Sequence, residues 1–161
     1  MIVKFCEYKL DIDIDRTRRF YETADDSLGC DCAGCRTFCK AYPLIPEAVQ
    51  DFFQQLGVDI GKPAEMTAYV SHDGNLTLYG GFYHICGSIV ASPKLFIQID
   101  EKHSQLDDTA AIKLTPDHFV YFTQECALVE KEFPPPVIQL EIQGNVPWVL
   151  EEPNPYHFPE L

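Results

Sequence analysis

The chain contains no run approaching the ~20 apolar residues that a helix needs to cross a bilayer. Its first stretch, Met1-Ile2-Val3-Lys4-Phe5-Cys6-Glu7-Tyr8-Lys9, meets a charge every few positions and lacks the apolar segment of a secretory signal. A cytoplasmic protein without a membrane partner is expected. Positive charge is also scarce. Twelve lysines and arginines face 25 acidic residues, giving a formal net charge of -13, and the resulting field repels nucleic-acid phosphates. A nucleic-acid partner is excluded on that ground. The charge serves solubility, or it steers in a basic protein partner.

Familiar catalytic signatures are missing too. There is no G-x-S-x-G, Walker or dinucleotide fingerprint and no helical H-E-x-x-H pair. Asp11, Asp13 and Asp15 point one way along a strand but lack the glycine-bearing loop of a calcium site, and so read as a wet face. Arg16, Arg18 and Arg19 make a local basic patch that neighbouring aspartates can neutralise.

What the chain does have is enough apolar residue, 46% of 161, to bury one core. Residues 1–161 read as one domain, with 146–161 an extended tail rich in proline and aromatics. Cys6, Tyr8, Leu10, Ile12 and Ile14 alternate with charged residues as in a half-buried strand. Asp15 then caps a short helix to Glu22. A helical turn is expected over Arg36 to Ala41. The clearest helix runs from Pro46 to Leu56, with Val49, Phe52, Phe53 and Leu56 on one face and Gly57 as its stop. Strands follow: Met66 to Ser71, a tight turn at Asp73-Gly74, a long return from Leu76 to Val90 with a bulge at Gly80-Gly81, then Leu95–Ile99, His118–Thr123 and Val137–Gln143. Helices first and strands afterwards indicate the α+β class, an antiparallel sheet or sandwich with two or three helices from the N-terminal third packed on it.

The chemical signal is Gly29-Cys30-Asp31-Cys32-Ala33-Gly34-Cys35-Arg36-Thr37-Phe38-Cys39, which holds four of seven cysteines. An odd count in a reducing compartment reads as free thiols or metal ligands rather than a disulfide framework. The spacing C-x-C-x2-C lets Cys30, Cys32 and Cys35 converge on one ion with little loop entropy to lose. Zinc normally takes four ligands; the fourth is expected to be His84, with Cys39 and Cys86 as rivals. Iron–sulfur ligation fits less well, since Cys30 is one residue too close and Lys40, not proline, follows Cys39. Cys32-Ala33-Gly34-Cys35 is also a C-x2-C redox pair, although acidic residues before it oppose thiol activation. The plainest alternative is four small buried residues without a ligand.

The stretch from Leu28 to Phe38, together with Leu56-Gly57-Val58-Asp59-Ile60, Gly81-Phe82-Tyr83-His84 and Pro147-Trp148-Val149-Leu150, resembles a family of small acidic bacterial proteins that share a GCDCxxCR cluster and have no established activity. The resemblance covers most of the chain and implies that the cluster and His84 belong together. The expected function is that of a noncatalytic binding or accessory protein with a cysteine-rich site for one zinc ion. The alternative is a thiol redox enzyme using Cys32 and Cys35.

Overall fold

The computed structural model describes residues 1–26 and 28–158 and is mixed α+β. Among these residues, in chain order, stand β1 (Ile2–Phe5), β2 (Tyr8–Ile12), α1 (Ile14–Thr23), α2 (Ala33–Ala41), α3 (Glu47–Gln55), β3 (Glu65–Tyr69), β4 (Leu76–Ala91), β5 (Phe96–Gln98), β6 (Ser104–Leu106), β7 (Ile112–Thr115), β8 (His118–Thr123) and β9 (Val137–Pro147). Seven strands form one antiparallel sheet in the order β1-β2-β4-β9-β8-β7, with β3 also on β4; β5 and β6 pair separately. None of the described helices is long and apolar enough to cross a membrane.

The spine is β4 against β9, paired from Leu76↔Pro147 to Cys86↔Val137. Along the other edge of β4, β3 covers Leu78 to Phe82 and β2 covers Gly87 to Ala91. Residues 83–86 therefore have no strand on that side, and backbone groups buried without partners would be costly. Helix α1 supplies them. The Tyr21 hydroxyl donates to the His84 carbonyl (2.9 Å) and accepts from the His84 N–H (3.0 Å). Thr17 Oγ1 accepts from the Cys86 N–H at 3.0 Å, and the Asp13 N–H donates to the Cys86 carbonyl at 2.8 Å. Side chains of a helix here do the work of a missing strand.

The sheet is a single curled layer. Three strand steps separate β2 from β8, roughly 14 Å if the sheet were flat, yet the Tyr8 and Phe122 rings lie 5.3 Å apart, centroid to centroid. Helix α3 fills the hollow: Phe52 meets Phe5 at 5.1 Å and Phe53 meets Tyr83 at 4.8 Å. Its end is a Schellman turn, with Gly57 at φ 75° donating to Gln54 and Val58 donating to Phe53.

Four expectations need correction. The first strand is a hairpin, because Cys6 takes a positive φ of 51° and turns the chain, while the terminal ammonium of Met1 binds Asp11 (3.0 Å) and the Ile12 carbonyl (2.8 Å). The cap of α1 is Asp13, which accepts from the Arg16 N–H, and Asp15 lies in the first turn, paired with Arg18. Helix α2 begins at Ala33, three residues before Arg36. Gly80 and Gly81 stay in register on both sides and form no bulge. They are glycine for space: a Cβ on Gly80 would meet the Tyr69 ring at 3.0 Å, and one on Gly81 the Glu65 carbonyl at 2.9 Å. Strands β6 and β7 had no forewarning in the sequence, and β9 continues to Pro147.

Replacing Tyr21 by Phe keeps the packing but leaves the His84 N–H and C=O unpaired. Equilibrium denaturation should find the Tyr21→Phe protein about 2 to 4 kcal/mol less stable; a loss under roughly 0.5 kcal/mol would mean that the gap in the β4 edge is closed without α1.

Candidate metal centre

Cys32 is the residue at which the chain enters α2. Its backbone is extended (φ -71°, ψ 160°), and its sulfur takes the capping role usually filled by an oxygen, accepting the Cys35 N–H at 3.4 Å. Capping brings the Cys32 and Cys35 sulfurs to the same end of the helix, and the one-residue spacer at Asp31 returns Cys30 to them. The ligand atoms of Cys30, Cys32 and Cys35 all lie within 4.8 Å of one another. Cys30 and Cys32 are exposed, whereas Cys35 is buried at 5% exposure.

This asymmetry separates the thiols chemically. The Cys35 N–H, then a hydrogen bond with Cys30, pulls the Cys32 thiol down to about 7 from 9.0. Burial, then the neighbouring sulfurs of Cys32 and Cys30, pushes the Cys35 thiol up. Near neutral pH Cys32, at the solvent side, is thus close to its midpoint and shares its population between thiol and thiolate, while Cys35 inside stays protonated.

The far end of the chain completes the surroundings. The Tyr156 hydroxyl accepts the Gly34 N–H at 3.2 Å and hydrogen-bonds Cys32, where the phenol donates to the thiolate. Only glycine fits at position 34, since a Cβ there would stand 2.8 Å from the Ala68 Cβ and 3.1 Å from the Tyr156 oxygen. Arg36 holds both flanks: its Nε donates to the Asp31 carbonyl at 3.1 Å, and its Nη1 pairs with Glu152. The backbone of the same tail is tied down by Trp148 N–H to the Asn75 carbonyl (2.8 Å), Val149 N–H to Thr37 Oγ1 (3.3 Å) and Ser71 N–H to the Tyr156 carbonyl (2.8 Å). Residues 159–161 of the expected tail lie outside the described residues.

The structure does not bring His84 to this centre. Gly34 packs on Ala68, which pairs with Tyr79 of β4; His84 stands five positions further along that strand, roughly 17 Å at about 3.4 Å per residue. It also points the other way. Tyr79 and Tyr83 face α2 and α3, while His84 lies on the opposite face against Phe82 and Phe133. Its Nε2 donates to the Ala127 carbonyl at 2.9 Å, and burial holds its pKa down, so the ring is a neutral internal tie. Cys39 is exposed on α2 outside the trio, and Cys86 is buried beside Thr17.

Comparison of the chain with protein-family models, with curated proteins and with solved structures returns no match. The chemistry of the centre is therefore read from its geometry. Tyr156, Gly34 and the Arg36–Glu152 pair were not found by sequence reasoning, and nothing local to the cysteines signals a tyrosine 122 residues away.

In metal-free, reduced protein, iodoacetamide should modify Cys32 with a rate that rises through pH 7 as the thiolate forms and falls about tenfold per unit below it. Cys35 should remain unmodified in the folded state. Tyr156→Phe removes a donor to the thiolate and should move the Cys32 midpoint upward. Peptide mapping across a pH series checks all three, and equal labelling of Cys32 and Cys35 would contradict the geometry.

Proposed function

We propose that the chain is a noncatalytic accessory protein that holds one zinc ion through Cys30, Cys32 and Cys35. The convergence of their three sulfurs within 4.8 Å carries this reading. Zn–S bonds of about 2.3 Å at tetrahedral angles set sulfurs roughly 3.8 Å apart, so the trio needs to tighten by at most about 1 Å, and two of its members are exposed and free to adjust. The start of α2 favours the negative charge of thiolates, and the Arg36 guanidinium stands beside them. Among the described residues no other His, Cys, Asp or Glu joins the group. A fourth position is thereby left to water or to a donor from outside, on the side where Cys30 and Cys32 meet solvent. The net charge of -13 supports a basic protein as the partner.

A second reading, thiol–disulfide exchange, is favoured by one observation: the exposed Cys32 with its lowered thiol pKa precedes a buried Cys35 in C-x2-C. In that chemistry the Cys32 thiolate attacks a substrate disulfide, displacing one substrate thiolate. Cys35 then gives up its proton and closes on Cys32, releasing the second.

Elemental analysis of protein purified without chelator separates the two. One zinc per chain is expected, lost in Cys30→Ser, Cys32→Ser and Cys35→Ser and kept in His84→Gln and Cys39→Ser. A metal-free protein that forms a Cys32–Cys35 disulfide with mild oxidant would sink the zinc reading in favour of exchange. Zinc lost equally in His84→Gln, with the fold intact, would mean that the centre recruits a ligand from the other face.

A further inference from the structure

The convex face of the sheet, opposite α2, α3 and the cysteines, carries a concavity of about 440 Å³. Register builds it. Across four strands one row reads Glu65 on β3, Phe82 on β4, Glu141 on β9 and Tyr121 on β8. The next row has Gly80 where a side chain would otherwise rise, between Thr67 and Gln143. The hollow over Gly80 is bounded by the Tyr69 ring, which comes within van der Waals reach of that glycine, and Phe119 stands on the far rim opposite Gln143.

The lining has a definite chemical sense. Two carboxylates flank one phenylalanine, three further aromatic rings stand around them, and among the described lining residues none carries a positive charge. Glu65 and Glu141 sit two strand steps apart, roughly 10 Å between backbones, so their side chains leave room for one cationic head over Phe82. Glu141 is half-buried, and its carboxyl is pushed up first by burial and further by the charge of Glu65, offset in part by the hydrogen bond from Gln139. The amide of Gln139 donates to Glu141 while its oxygen accepts the Ala127 N–H at 2.8 Å, so the carboxylate is held in place. On the rim, Lys113 Nζ already stands 5.9 Å from the Phe119 ring centroid, within the range of cation–π attraction.

We propose that this groove binds an organic cation, a primary ammonium or guanidinium group seated between Glu65 and Glu141 and walled by Phe82, Tyr69 and Tyr121. The cation belongs either to a small molecule or to a lysine or arginine side chain of a partner. Paired carboxylates answer its charge, aromatic faces answer its weakly hydrated surface, and the glycine floor admits its depth. The site is independent of the cysteine centre, which lies on the other face.

Amide-detected NMR titration of the full chain with butylamine, butylguanidinium and, as a neutral control, butanol tests the proposal, with a short lysine- and arginine-containing peptide as a further arm. Saturable shifts confined to β3, β4, β8 and β9 are expected for a cation and not for butanol. The affinity should fall at least about tenfold in Glu65→Gln/Glu141→Gln and weaken as salt is raised. Thr67→Lys, which places a tethered ammonium in the groove, should abolish binding without disturbing the sheet. Saturation by the small cations assigns a small-molecule ligand, and saturation by the peptide alone assigns a partner side chain. No saturable binding in any arm, or binding unchanged in both the double variant and Thr67→Lys, overturns the proposal. Cys35→Ser should leave every arm unaltered.

Discussion

The gap between β3 and β2 on one edge of β4 is the constraint on which the rest of the structure depends. β4 is too long for either neighbour to cover, and the stretch from Tyr83 to Cys86 lies in the buried centre, where water cannot satisfy its backbone. Filling the gap with Tyr21, Thr17 and Asp13 fixes the position and rotation of α1 to within a hydrogen bond. That in turn sets the loop leading to the cysteines, and Lys62 ties the end of α1 down by donating to the Tyr21 and Ala24 carbonyls. Placement of the cysteine cluster thus begins with an unpaired strand edge some distance away.

Local chemistry made much of this legible in the sequence. The Asp73-Gly74 turn and the long return after it, Leu76 to Val90, foretold β4 almost to the residue, and the Val49, Phe52, Phe53 and Leu56 stripe with Gly57 behind it foretold α3 and its cap, because a turn signal, burial of one helix face and a positive-φ glycine are all written in single positions. Convergence of Cys30, Cys32 and Cys35 was readable for the same reason. What stayed hidden depended on partners distant in the chain. The turn at Cys6-Glu7 has no glycine or asparagine, and the start of α2 is capped by sulfur, which capping preferences do not lead one to seek. Gly80-Gly81 resembled a bulge because a glycine kept small for a neighbouring ring looks the same in sequence as one kept for its backbone.

His84 illustrates the limit sharply. Counting along a strand shows which residues share a face but not which object that face meets. Pairing with β9 put His84 beside Gln139, and both side chains were drawn into holding the loop at Ala127. The same register that removed His84 from the thiols set Glu65 and Glu141 across Phe82. Two faces of one sheet thereby acquire opposite chemistries, soft thiols at the end of one and hard, negatively charged oxygen on the other.

The contact of Tyr156 with Gly34 has a consequence for how the protein is made. The two residues are 122 positions apart, and at ribosomal rates of about 5 to 20 residues per second the tyrosine is synthesised roughly 6 to 24 s after the glycine. During that interval the cysteine loop lacks the Tyr156 hydroxyl that binds the Gly34 N–H and Cys32 in the finished fold. The order of synthesis therefore leaves a window in which an ion or an oxidant meets the sulfurs before that last hydrogen-bond donor arrives.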